Sequence, residues 1–374
     1  MSQLPNVAVP RVVSRRQVLQ STAAVAGAAS VGLAAPAFAQ GATRNVKFTL
    51  PWLAQGATDY VYIAEEQGLF KKRGISVQIS RGFGSLAAAQ AIGAGQFDFG
   101  LVSASSTILS AANGLPLVAL ATTNYEAFLG LLVRADSPIR SPKDLEGKRM
   151  GGVPASVEFP LWRAFAKRAG VDDTKVSIVQ ADPRVVERTL VDKQIDAYFC
   201  VASTSYAVCK GMDVDTRAIL LADYGLPFYS NNIVTRQEVL ERDPGLCRDV
   251  TEALLEALAF TVREPDAALD IFLKKVPELT LTKGGRENAR LSQGFMLSSV
   301  PRPESMEHGL GWSDMNRVKT MTDLVMDYAA PSTAKRPDLA RLFTNQFAGT
   351  VKLSPQEWTK AQGQFKEFPS LLKS

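Results

Sequence analysis

From residue 45 onward, short apolar runs alternate with amphipathic stretches, the trace left by strands and helices that take turns along a chain. Residues 45–50 read as a strand and 58–68 as a helix, capped at Thr58 or Asp59 and stopped by Gly68. Ile75–Ser80 is the next strand. The turn Arg81-Gly82-Phe83-Gly84-Ser85 opens a helix that places Leu86, Ala89 and Ile92 on one side and ends at Gly93-Ala94-Gly95. Residues 97–102 are apolar nearly throughout, as a strand buried on both faces must be. A short helix at 107–113 and a strand at Leu117–Thr122 complete a βαβαβαβ series.

The series repeats in weaker form: strand 150–153, helix 158–169, strand 176–180, helix 183–192, strand 196–201. The two units share local sequence, since Gly95-Gln96-Phe97-Asp98-Phe99-Gly100-Leu101-Val102-Ser103-Ala104-Ser105 resembles the stretch from Lys193-Gln194-Ile195-Asp196 to Ser203. From Asn231 the pattern changes to long helices at Pro244–Arg263, 266–275, 286–300 and 312–328. Such alternation predicts an α/β fold of two lobes, each a mostly parallel sheet flanked by helices, with extra C-terminal helices that pack back on the first lobe. The expected division is 40–134 plus 230–374 for the first lobe and 135–229 for the second, with crossings near 134–140 and 224–232.

The first 39 residues read as an address. Ser14-Arg15-Arg16-Gln17-Val18-Leu19 is a twin-arginine pattern, followed by a weakly apolar stretch and by Ala37-Phe38-Ala39, a cleavage signature. The stretch is mostly Ala, Gly and Ser with Pro36 near its end, which suits a signal peptide better than a membrane anchor. The mature chain is expected from about Gln40, in the periplasm. The chain of 374 residues carries 42 Lys+Arg against 37 Asp+Glu. Without Arg11, Arg15 and Arg16 the balance is 39 against 37, or +2, no footing for nucleic acid. The three cysteines, Cys200, Cys209 and Cys247, read as core thiols with one pair open to them.

In open parallel sheets, ligands sit beyond the carboxyl ends of the strands, where helix N-termini present free N–H groups. That rule nominates Trp52, Gln55, Gly84, Ser85, Ser103, Ser105, Asn124 and Tyr125 in the first lobe, and Ser156, Glu158, Asp182, Ala202 and Ser203 in the second. Trp52 offers a flat ring for stacking, Glu158 a carboxylate in a first helical turn, and Ser85 a hydroxyl at a helix start. The run Gly82-Phe83-Gly84-Ser85-Leu86-Ala87 fits a relaxed dinucleotide fingerprint, yet the next strand carries Asp98 at its beginning and not at its end, where a ribose-binding carboxylate belongs. His308 is the only imidazole, so a zinc site of the usual spacing is excluded and hydrolytic triads have little to work with. No cofactor and no metal is expected.

Trp52, the run from Tyr60-Val61-Tyr62 to Lys71-Lys72-Arg73-Gly74-Ile75, Gly84-Ser85, and Ala94-Gly95-Gln96-Phe97-Asp98-Phe99-Gly100 together look like the opening of the nitrate, sulfonate, taurine and pyrimidine-precursor binding proteins. Ser141-Pro142-Lys143-Asp144-Leu145-Glu146-Gly147-Lys148, then Gly151-Gly152-Val153-Pro154, is similar to that family's entry into its second lobe. The resemblance covers roughly 45–330. It implies a monomeric, non-enzymatic substrate-binding component of an ABC importer with a type II periplasmic-binding fold, whose partners are a small-molecule ligand and the membrane permease complex. Fungal pyrimidine synthases of this family carry a histidine that falls, counting without gaps, at Thr58, and their cysteine-rich run is missing here. Trp52, Tyr60, Phe83, Tyr125, Phe159 and Tyr206 with Ser85, Ser103 and Ser156 suit a planar, partly polar ligand such as a pyrimidine precursor, with Arg81 and Arg184 as nearby cations. Sulfonates and carboxylates stay open, as do an exported enzyme acting on a small heterocycle and a sensory receptor.

Overall fold

The computed structural model describes residues 43–154, 156, 158–182, 184–281 and 284–373. The expected signal peptide lies outside the described residues.

Two five-stranded sheets carry the fold. The first has the order β2-β1-β3-β10-β4 and is built from β1 (Arg44–Thr49), β2 (Ile75–Ser80), β3 (Phe99–Ser103), β4 (Leu117–Thr122) and β10 (Asn231–Arg236). The second, β7-β6-β8-β5-β9, uses β5 (Leu129–Arg134), β6 (Arg149–Gly152), β7 (Ser177–Gln180), β8 (Ala197–Val201) and β9 (Thr216–Leu220). In each sheet the fourth position is held by an antiparallel strand, β10 or β5, and the rest run parallel. Each antiparallel strand has just arrived from the other lobe, which is why it enters the sheet from the opposite end.

Strand pairing corrects the expected first crossing. Residues 129–134 belong to the second sheet, so the chain changes lobes at 123–128 and not at 134–140; it returns at 225–230. A continuous apolar run such as Leu129-Gly130-Leu131-Leu132-Val133 carries no mark of which sheet it will join. The strands β5, β9 and β10 escaped the alternation for the same reason.

Around the sheets lie α1 (Asp59–Glu66), α2 (Ser85–Gly93) and α3 (Ala104–Ala112) in the first lobe, and α4 (Trp162–Arg168), α5 (Val186–Val191) and α6 (Ala202–Gly211) in the second. Then follow α7 (Gln237–Arg242), α8 (Pro244–Arg263), α9 (Pro265–Lys275), α10 (Gly285–Ser299), α11 (Pro303–His308) and α12 (Met315–Tyr328), with short helices Leu339–Leu342, Pro355–Phe365 and Phe368–Leu371. The long α8 starts at Pro244, whose missing N–H costs a first turn nothing, and the Asp243 carboxylate accepts the Leu246 N–H at 2.8 Å. Helices α8 and α9 pack on α1 as expected, but α10 lies against α6 of the second lobe and α12 touches both α3 and α4. The C-terminal helices therefore straddle both lobes.

The shared sequence of the two units has a shared job. Asp98 accepts the Lys47 N–H at 2.9 Å and Asp196 accepts the Arg149 N–H at 2.8 Å. Each aspartate, just before its strand, ties that strand to a neighbour, Asp98 to the middle of β1 and Asp196 to the start of β6. The residues three before them, Gly95 and Lys193, both take positive φ, +77° and +59°.

All three cysteines are free and buried, so no pair forms. Among the described residues no helix is long and apolar enough to cross a membrane, and no group of His, Cys, Asp or Glu could hold a metal ion.

Candidate functional site

One open cleft of about 830 Å³ runs between the two sheets. Its first wall is Trp52 and Gln55 after β1, Gly84 and Ser85 at the start of α2, and Ser103 at the end of β3. Facing them are Ser156 and Glu158 after β6, Glu187 in the first turn of α5, Tyr198 on β8, and Ser203, Thr204 and Ser205 at the start of α6. Asn124, Glu126 and Phe128 from the first crossing, Ser230 and Asn231 from the second, and Met296 of α10 complete it.

The glycines of the Arg81–Ser85 turn serve the backbone. A Cβ on Gly82 would stand 2.0 Å from the Leu50 carbonyl oxygen, and Gly84 takes φ +126° as it caps α2. Close approach of β1 and the turn after β2 explains the fingerprint-like spacing with no nucleotide. Ser85 is the first residue of α2 and does not cap it; its Oγ instead accepts the Ser103 N–H at 2.7 Å. Ser103 in turn caps α3, accepting from the Ser106 N–H at 3.2 Å. These hydroxyls fix the cleft wall by tying the end of β3 to two helix starts.

Trp52, Gln55, Gly84, Ser85, Ser103, Asn124, Ser156, Glu158 and Ser203 thus share one cleft. Tyr60, Ser105 and Tyr125 do not. Tyr60 is fully buried on the sheet side of α1, its hydroxyl donating to Thr123 Oγ1 at 2.9 Å. Ser105, the second residue of α3, faces a small recess with Leu86, Ser106 and Leu161. Tyr125 packs edge-on against Tyr229. Asn124 and Glu126, on either side of Tyr125, line the cleft, and extended geometry sends the side chain between them the other way. Asp182 and Ala202 also lie off the wall. Arg184 pairs with Asp182 at 2.6 Å, and Arg81 sits 4.6 Å over the Phe83 ring, so neither supplies a cation to the cleft.

Three carboxylates line the cleft, whereas no Lys, Arg or His appears among its described lining residues. Glu158 is 2% exposed, and burial pushes its pKa up to about 7 despite a hydrogen bond from Ser156. It stands at the head of the short 3₁₀ turn Phe159–Leu161 without capping it, and its carboxylate accepts from its own backbone N–H as well as from Ser156. Glu187 is raised by burial as well, although Ser205 Oγ donates to its Oε1 at 2.9 Å. Glu126 is raised by burial and lowered by Arg317 and Arg302 behind it. Sequence reading missed Glu126 because the first crossing was expected later, and Tyr198 because it sits inside a strand. Glu187 was legible: it follows β7 in a first helical turn, the position the strand-end rule inspects.

Residues 58–268 match the NMT1/THI5-like family, more than half of the chain. The chain belongs to that family. Relatives of this NMT1/THI5-like chain include the riboflavin-binding protein RibY of Chloroflexus aurantiacus, 24% identical over 327 residues, covering 85% of this chain and 90% of that protein. The formylaminopyrimidine-binding protein of Halalkalibacterium halodurans is 23% identical over 284 residues, 73% and 86% of the two chains. The 4-amino-5-hydroxymethyl-2-methylpyrimidine phosphate synthase of Legionella pneumophila is 24% identical over 238 residues, 63% and 75%. Among solved structures, the alkanesulfonate-binding protein SsuA of Xanthomonas axonopodis pv. citri superposes with a TM-score of 0.62 at 14% identity, covering 79% of this chain and 97% of that one. At that identity the likeness speaks for the fold alone, the periplasmic-binding-protein fold. Where the resemblance to synthases puts a histidine, this NMT1/THI5-like chain has Thr58, fully buried and donating to the Gln55 carbonyl at 3.1 Å.

Proposed function

We propose that this protein is an exported solute-binding receptor that captures a small organic molecule between its lobes and delivers it to an ABC permease complex, without performing a reaction. One observation carries the reading: a single cleft is lined by strand ends and helix starts of both sheets and by both crossings. A ligand drives closure only through contacts that improve when the lobes approach, and here both walls offer them. Trp52, half-buried after β1, supplies a stacking face, and Glu158 across the cleft accepts N–H groups. A planar heterocycle suits this lining, in keeping with relatives named for riboflavin and formylaminopyrimidine.

The binding-protein relatives favour a receptor over an enzyme. The relative named a synthase favours the other reading, but Thr58 offers no imidazole. Export follows from the periplasmic-binding-protein fold and from the twin-arginine pattern at residues 14–19, and a monomer is expected. Ligand at 100 times its Kd stabilises the folded state by about 2.7 kcal/mol, so a thermal-shift screen of heterocycles tests the proposal. The expected result is a rise of several degrees with one class, without turnover. Chemical conversion of the ligand would refute it.

A further inference from the structure

The second wall of the cleft holds two carboxyl groups with no counter-charge. Glu158 is 2% exposed and Glu187 is partly buried. They act on one another through space. Around them stand Ser156, Ser205, Tyr198 on β8 and the buried Cys200 thiol. No Lys, Arg or His among the described residues forms an ion pair with either. Glu126, by contrast, has Arg317 and Arg302 behind it. A buried carboxylate is ordinarily paired, because desolvating an unpaired charge costs several kcal/mol.

A second observation points the same way. Tyr198 is 3% exposed and faces the cleft, yet its hydroxyl, whose oxygen can accept from an N–H of a ligand, has no hydrogen-bond partner among the described residues. Polar groups this deep are normally satisfied. The carboxylate grouping does not form a metal site among the described residues.

We propose that the solute this cleft takes is an organic cation, a molecule whose protonated aminium or amidinium nitrogen is held by Glu158 and Glu187 while its apolar body rests on Trp52. The inference rests on the receptor reading above and narrows its ligand class. Ionised carboxylates, a phenol oxygen and the negative face of an indole all favour positive charge at one place. With the cleft empty, a proton on the Glu158–Glu187 pair relieves the desolvation; an arriving cation displaces it. Sulfonates and other anions find no Lys, Arg or His among the described lining residues and are repelled by the cleft's carboxylates.

Three ring probes of similar size test this by calorimetry at pH 6, below the value at which Glu158 ionises: 4-aminopyridine, which is protonated there, neutral nicotinamide, and anionic benzenesulfonate. The cation is expected to bind at least tenfold more tightly than the other two, to release a proton measurable from the dependence of the heat on buffer ionisation, and to lose its margin in Glu158→Gln/Glu187→Gln. The proton release is read on the unaltered protein and needs no folded variant. Nicotinamide or benzenesulfonate binding as well as the cation, or a margin that survives the double substitution, overturns the charge assignment and leaves the receptor intact. Native mass spectrometry of protein from cells decides the case in which no probe binds. A retained molecule with a basic nitrogen supports the cation, one without it overturns the cation alone, and an empty protein overturns the receptor reading beneath it.

Discussion

Tyr125 and Tyr229 meet edge to face, ring centres 5.7 Å apart at 89°, and each lies on a different crossing between the lobes. The Arg317 guanidinium of α12 lies 4.2 Å over the Tyr229 ring and donates to the Tyr125 carbonyl at 2.8 Å. The Tyr229 hydroxyl donates to Glu304 at 2.8 Å, and Glu304 pairs with Arg317 at 3.2 Å. Both crossings are thereby pinned to the C-terminal helices.

Removing that hydroxyl with Tyr229→Phe takes away the bond to Glu304 and the acceptor of the Asp314 N–H. A charge-assisted bond of this kind contributes about 1.5–3 kcal/mol. Denaturant melts should show a loss of that order; a midpoint unchanged within 0.3 kcal/mol, roughly the scatter for independent surface sites, would dismiss the hinge cluster as decoration.

Trp52→Ala should leave the fold nearly as stable, since the ring is only half-buried beside the cleft, and should weaken ligand binding by about tenfold, one stacking contact's worth. Equal affinity in titrations of the variant and the native protein would remove Trp52 from the site.

Burial holds Glu158 at about 7 against an ordinary 4.5, and Asp59, fully buried with Gln293 donating to it at 2.7 Å, at about 7 against 3.8. Both are carboxyls raised in the folded state, so the unfolded chain gives up their protons first. The stability they contribute is complete below the unfolded values and is lost as pH climbs to about 7, on the order of 3 kcal/mol for each. Ligand-free protein should therefore melt at progressively lower temperature between pH 5 and 8. Glu158→Gln should flatten that slope, and a profile that instead rises over this window contradicts the burial of both groups.

Ser85→Ala strips the Ser103 N–H of its acceptor at a buried position. A cost of about 1–3 kcal/mol is expected, with faster hydrogen exchange at Ser103 as the specific sign. Exchange at that amide identical to the native rate would show that the bond holds nothing.

Burial pushes the Cys209 and Cys247 thiols up to about 12 and holds the Cys200 thiol well above its ordinary range. A thiol reagent should find none of the three in native protein and all three in denaturant, as thiolate is the reacting form. Rapid native labelling of any one would place it nearer the surface than the packing allows.

Much of the molecule was legible along the chain. The period of two in Ile75–Ser80, the continuous apolar run of Leu117–Thr122 and the long stripe of Pro244–Arg263 are local patterns, and the elements formed at those bounds. The strand-end rule reached Trp52, Gly84, Ser103, Glu158 and Ser203 because a helix start after a strand is also local. It overreached at Ser105 and Tyr125, as the reading of aromatics for a planar ligand did at Tyr60; all three side chains are buried away from the cleft.

The sequence by itself determined seven of the ten strands and the long C-terminal helices, and that two similar α/β units follow one another, because backbone preference and apolar spacing act within a few residues. Only the tertiary structure decided that β5 joins the second sheet, that Glu187 and Tyr198 join Glu158 at one wall, and that no Lys, Arg or His stands among the described residues lining the cleft. Those outcomes depend on pairing and desolvation between segments tens to hundreds of residues apart, and neither the sign of a neighbour's charge nor its distance is written in local spacing.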